Sequence, residues 1–233
     1  MSLLLAEELV LLCMDDETGQ CEVEPREAGQ GVALALVFEL SLAGALTLTR
    51  AGTLAQGEQS ATGDQLLDLT ASSAIGLSPT AAVEKLAAED LLQAILARLV
   101  SRGVLHDAEV WSPGIHLPKD PHPEAAVRER LREVLAQGQG ANEHEAALVA
   151  LLHHLEIVAA VLPDDDAEIT RARAAEVARR SRPMQDYQGE DSRPRLTPAG
   201  GSDNSGQRRT RSSWWDGLDV LELVGSGIRI FLP

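Results

Sequence analysis

Aromatic residues are scarce in this chain. Phe, Trp and Tyr make up 3% of 233 residues, although 44% are hydrophobic. Leu, Val and Ala must therefore fill the core, and an Ala- and Leu-rich composition favours helix. Cysteine is nearly missing. Cys13 and Cys21 are too few for a disulfide framework, and their spacing matches no common zinc pattern. Cys13 lies in an apolar run and reads as a small buried residue. No apolar stretch approaches the ~20 residues of a membrane span. The first residues lack the basic start of a secretory signal and carry Glu7 and Glu8 instead. The expected location is cytoplasmic, with peripheral contact at the inner face of the plasma membrane. Positive charge is also in deficit: the net charge is −16. That excludes non-specific nucleic-acid binding through the bulk surface, so nucleic acid is not an expected partner.

What positive charge there is lies unevenly. Residues 1–170 carry 9 Lys/Arg against 28 Asp/Glu, whereas residues 171–213 carry 10 Arg against 5 Asp/Glu. Residues 183–213 are rich in Pro, Gly, Ser, Asp and Arg with almost no apolar side chain, the composition of a disordered linker. A solvated segment without a partner is the expected reading of this stretch.

The organising stretch is residues 3–50. An apolar helix from Leu3 to Leu12 is capped by Ser2, with Leu5, Leu9 and Leu12 on one face. Glu7 and Glu8 sit near its start, where the helix dipole is positive. A polar turn ends at Thr18-Gly19. Residues 32–42 are apolar on all sides except Glu39 and Ser41, which predicts a central helix. Gly44 stops it, and residues 45–49 alternate as a half-buried strand does. Residues 51–59 read as a glycine-containing connection. Asp64 caps a helix with Leu66, Leu67 and Leu69 on its apolar side. Ser78-Pro79 opens another, broken near Glu89 and ending at Arg102-Gly103. Residues 104–118 read as a β-hairpin or projecting loop. Helices follow over residues 123–135, 142–162 and 167–180, with Asp164, Asp165 and Asp166 as a helix cap. Residues 214–233 turn apolar again, and Gly225-Ser226-Gly227 between two apolar runs predicts a hairpin.

Chemistry-bearing patterns are weak. His144-Glu145 lacks the second histidine of a metalloprotease helix, and both read as surface residues. His153 and His154 are adjacent, so they point about 100° apart on a helix and cannot chelate one ion together. No nucleophile elbow, phosphate loop or dinucleotide fingerprint is present. The expectation is no enzyme, no metal and no cofactor. Trp111, Ile115 and Leu117 lie in a proline-bordered loop, where they can enter a membrane or a partner's groove or pack back on the helices. Trp214 and Trp215 pose the same choice, with docking on the chain's own domain ranked first.

Four separated segments carry a family resemblance. They are Leu4-Leu5-Ala6-Glu7-Glu8-Leu9 with its Thr18-Gly19 turn, Phe38-Glu39-Leu40 ending near Gly44-Ala45-Leu46, Thr62-Gly63-Asp64-x-Leu66-Leu67-Asp68, and Leu99-Val100-Ser101-Arg102-Gly103-Val104-Leu105. Together, over about residues 3–180, they resemble the Golgi phosphoprotein 3 family of peripheral membrane proteins that bind phosphatidylinositol 4-phosphate. The Ala-, Leu- and Arg-rich, Lys-poor composition points to a bacterial member. The resemblance implies a helical globular domain with a protruding hairpin used for membrane contact or oligomerisation. In the family a basic pocket holds the headgroup. It is built from a tryptophan after the first helix, an arginine leading into the buried helix, and an Arg-x-x-Arg pair on the helix before the hairpin. An ungapped reading puts Ala33, Glu89 and Leu92 at the arginine positions, and residues 21–23 have no aromatic. Arg26, Arg98 and Arg102 are then the candidate headgroup ligands, since a phosphomonoester needs several cationic donors.

The expected fold is mainly α: a single globular multi-helix domain (residues 1–180) around a buried helix, with a protruding β-hairpin. A basic linker (181–213) and an apolar tail (214–233) follow it. The expected function is non-enzymatic recognition of an acidic phospholipid headgroup at a membrane surface. The alternative is a cytosolic helical scaffold that has lost phosphoinositide binding. The hairpin would serve a protein partner or self-association.

Overall fold

Helix α2 (Pro25–Leu42) runs through the middle of the molecule. In the computed structural model, residues 3–15, 18–19, 25–108 and 114–188 are described, except for the side chains of Pro25 and Arg26. Val32 to Phe38 and Leu40 of α2 are buried, and only Glu39 interrupts that run. At 18 residues the helix spans about 27 Å. It packs against α1 (Leu5–Leu12), α3 (Gln65–Ala74), α4 (Pro79–Ala87), α5 (Leu91–Ser101), α7 (Glu143–His154) and α10 (Arg182–Gln188). The central helix expected from its apolar surface is therefore observed. The described chain is mostly helical and forms one compact domain.

Local chemistry explains the helix boundaries. Asp64 Oδ1 accepts from the backbone N–H of Leu66 (3.0 Å) and Leu67 (3.4 Å), capping α3. Asp68 Oδ1 accepts from both the N–H and the hydroxyl of Thr62, each at 2.8 Å. The Thr-Gly-Asp-x-Leu-Leu-Asp motif is thus a folded turn whose two carboxylates hold the chain on either side of the helix start. Ser78 caps α4 with Pro79 in its first turn. The chain breaks between Ala87 and Leu91, where the sequence predicts a break. Asp166 caps α9 (Ala167–Ala178) by accepting from Glu168 and Ile169 N–H.

Three features depart from the sequence expectations. The helix expected over residues 142–162 is two helices, α7 and the short α8 (Val158–Val161). Glu156 adopts φ +60°, Ile157 N–H reaches Leu152 C=O (3.1 Å), and Glu156 N–H reaches His153 C=O (3.2 Å). That is a left-handed helix stop built without glycine. Second, the regular hairpin among the described residues is β1 (Leu46–Leu48) paired antiparallel with β2 (Leu54–Gln56), with Thr47 opposite Ala55. The segment expected to be a plain connection therefore supplies a strand. Residues 104–118, where the hairpin was expected, are closed at their base by one bridge, Leu105 to Pro118, and by His106 N–H to Leu117 C=O (2.9 Å). Third, the linker expected from residue 181 begins as helix α10. Pro183 and Met184 are buried, and the Tyr187 ring meets Phe38 and His154 edge-on at 6.4 and 5.4 Å. Two large side chains three residues apart suffice to seat one helical turn on α2 and α7, and composition averaged over thirty polar residues hides them. The remaining linker and the 214–233 tail, with Trp214 and Trp215, lie outside the described residues.

Gly19 fixes the connection after α1. Its φ is +66°, His116 N–H donates to its carbonyl (2.7 Å), and a Cβ there would stand 2.9 Å from His116 backbone. Only glycine fits both demands, so the turn after α1 and the end of the 104–118 loop are joined at this point.

Candidate functional site

Every residue of the eight-residue helix α1 is buried, including Glu7 and Glu8 at 0% and 3% exposure. A carboxylate taken out of water needs several donors to replace its hydration. Glu7 finds them at the end of α5 and at the start of its own helix. Its Oε1 accepts from Arg98 Nε and Arg102 Nη1 (both 3.1 Å), and its Oε2 accepts from Arg102 Nη1 (2.8 Å) and the Leu4 N–H (2.7 Å). Arg98 turns its Nη1 to Asp64 Oδ2 at 2.5 Å. Glu8 points the other way, to Arg130 Nη2 (2.6 Å) on α6 (His122–Leu135) and His144 Nε2 (2.9 Å) on α7. Glu39 of α2 completes the cluster: its Oε2 accepts the Leu5 N–H at 2.7 Å.

Burial pushes the Glu39 carboxyl above the usual carboxylate range, with the Leu5 bond and a charged His144 opposing and the charges of Glu8 and Glu7 adding. His144 is also raised above its ordinary value, first by its hydrogen bond to Glu8, against the cost of burial.

Two of the three candidate headgroup arginines are brought together. Arg98 and Arg102 both meet Glu7, with side chains 29% and 23% exposed. Arg26 lies in the first turn of α2, and its side chain is outside the described part. At the positions where the resemblance places headgroup arginines, Ala33 is fully buried, Glu89 is exposed and Leu92 is half-buried. In the loop, Trp111 lies outside the described residues, Ile115 is half-buried and Leu117 is 44% exposed. A cleft of about 610 Å³ between α2, the β1–β2 hairpin and α10 gathers Arg182 beside Glu58 and Asp186. Arg182 donates to the Ser41 carbonyl (2.6 Å), so this cleft offers little to a phosphate.

Sequence reasoning does not find Glu7, Glu8 and Glu39 as a joint cluster, nor Arg130 and His144 with them. It places Glu7 and Glu8 at a helix start, where the structure has them, and makes His144 a surface residue; the structure adds that the acids are buried and corrects His144, which binds one of them. Two adjacent acids in a helix of otherwise apolar residues are the available signal. Among the described residues no three His, Cys, Asp or Glu side chains are placed to hold a metal ion, and no described helix is long and apolar enough to cross a membrane.

The four segments of the family pattern now have positions in one structure. The Glu-Glu pair anchors α1, Glu39 ties α2 to it, the capping motif positions Asp64, and the end of α5 brings Arg102. The family model described as Golgi phosphoprotein 3 (GPP34) matches residues 5–195. The chain belongs to the Golgi phosphoprotein 3 family. The match runs past residue 180, through α10, consistent with α10 as part of the folded domain. No curated protein matches the chain.

Proposed function

We propose that this GPP34 protein is a non-catalytic peripheral membrane protein that recognises an acidic phospholipid headgroup from the cytoplasmic side. The observation that carries the reading is family membership over residues 5–195. Its physical support is the Arg98–Arg102 pair, whose outer surfaces reach solvent. A chain of net charge −16 is repelled by an anionic bilayer, so binding rests on local cations. It therefore weakens steeply with salt. Arg193, Arg195, Arg208, Arg209 and Arg211 add to the attraction. Leu117 and Ile115, with Trp111, supply apolar contact from the 104–118 loop.

A second reading is favoured by a specific observation. Arg98 and Arg102 are engaged by Glu7 and Asp64, and the positions that resemble the family's cationic set are Ala33, Glu89 and Leu92. On this reading the chain is a helical scaffold that meets a protein partner or a second copy through the 104–118 loop, without phosphoinositide recognition.

Co-sedimentation with neutral, anionic and phosphoinositide-containing vesicles separates the two. Headgroup recognition predicts pelleting above the neutral control, strongest with the phosphomonoester lipid and lost by R98A/R102A. Pelleting equal to the neutral control at low salt removes the lipid reading and leaves the scaffold.

A further inference from the structure

The charges around α1 balance only if one titratable group is counted as charged. Clustered around α1 are its own Glu7 and Glu8, Glu39 of α2, Asp64 at the start of α3, Arg98 of α5 and Arg102 just after it, Arg130 of α6 and His144 of α7. That is four carboxylates and three guanidiniums, and His144 is the fourth cation only while protonated. Arginine keeps its charge at any pH a folded protein meets, so once Glu39 is ionised the balance turns on one imidazole. The Glu8 carboxylate has one charged partner on each side, Arg130 at 2.6 Å and His144 at 2.9 Å.

We propose that this cluster is a proton-operated latch on α1, which is clamped between α6 and α7 while His144 is charged and loosens when that proton leaves to solvent. The step is a simple ionisation. The ring keeps the Nε2 proton facing Glu8 and gives up the one on Nδ1. The hydrogen bond survives, but the cluster is left with one carboxylate in excess. An uncompensated charge beside a side chain 3% exposed is costly.

The direction follows from both perturbed groups. His144 has its folded value raised by the Glu8 bond, with burial and Arg130 opposing and Glu8 and Glu39 assisting. Its contribution is full below the ordinary histidine value of about 6.5 and lost as pH rises through the higher folded value. Glu39 is raised by burial, so it too favours the fold while protonated and weakens it as pH rises. The two act in the same sense. The output is local: α1 leads to Gly19, whose carbonyl receives His116 N–H from the 104–118 loop at 2.7 Å. Loosening α1 relaxes that loop's anchor.

The test is hydrogen–deuterium exchange of the full chain from pH 6 to 9, corrected for intrinsic exchange, comparing amides of α1 with those of α4. In the wild type, α1 protection falls severalfold more than α4 protection as the pH rises, in the direction set by the raised His144. H144Q shows low α1 protection and H144R high protection, each with a smaller pH dependence than the wild type, the remainder belonging to Glu39. A flat wild-type profile, or H144Q with the wild-type pH dependence, overturns the proposal. An NMR titration of the His144 ring in the wild type decides independently of the variants. A midpoint above that of the other described histidines supports the latch, and one at or below theirs removes it.

Discussion

Helices α1 and α2 are both buried, by opposite means. α2 is seated by Val, Ala, Leu and Phe38, and its one acid near the core, Glu39, rests on the edge toward α1. α1 buries two full charges and meets each with cations from other helices. Apolar burial is non-directional and tolerates repacking. A buried carboxylate demands particular donors at particular distances, so it fixes which helices lie beside it more sharply than it adds stability. On this contrast, α2 supplies the hydrophobic stabilisation of the domain, whereas α1 sets the arrangement of α5, α6 and α7 around it.

The largest expected effect breaks α1. E7A leaves Arg98 and Arg102 facing a buried gap and should lower stability by about 3–5 kcal/mol, read from denaturant unfolding. An apolar replacement of the whole Glu7–Arg98–Arg102 set should recover most of that loss. No recovery would show that the charges contribute stability as well as specificity. F38A breaks α2 at a fully buried aromatic and should cost a comparable ~3–5 kcal/mol. Its cost should be independent of salt, unlike that of E7A.

Y187A tests the edge of the α2 side. Losing the ring contacts to Phe38 and His154 should cost about 1–2 kcal/mol. A loss near zero would mean that α10 adds nothing to the domain. D64A should cost about 1 kcal/mol through the α3 cap, plus whatever Arg98 contributes. D64N keeps the cap and isolates the ion pair. The last change concerns function rather than the fold. E89R/L92R places two cations at and just before the start of α5, at the positions that resemble the family's pair. It should strengthen phosphoinositide-vesicle binding by about 1 kcal/mol per charge, seen in the co-sedimentation midpoint. No gain would mean that the pocket lacks more than charge.

Much of the fold is legible in the sequence. Caps at Asp64, Ser78 and Asp166 are readable because capping is local: donor and acceptor lie within three residues. The central position of α2 is readable because a helix without a polar face has nowhere else to go. The break in the 142–162 helix is not, because Glu156 supplies a left-handed residue where glycine is the usual sign. Strand β1 is legible in the alternation of residues 45–49, but its partner β2 escapes notice because its three residues carry too little alternation to register.

Composition, periodicity and capping chemistry thus determined a Leu- and Ala-packed helical domain, its helix starts and its central helix. The family pattern in the sequence pointed to its kinship. Only the tertiary structure decided that Glu7 and Glu8 are buried counter-ions, that Arg98 and Arg102 answer to Glu7, and that His144 completes the charge balance. The reason is distance along the chain. Glu7 meets Arg98 91 residues away, and Glu8 meets His144 136 residues away. No local rule ties an acid to a base across such a separation until the helices between them have packed.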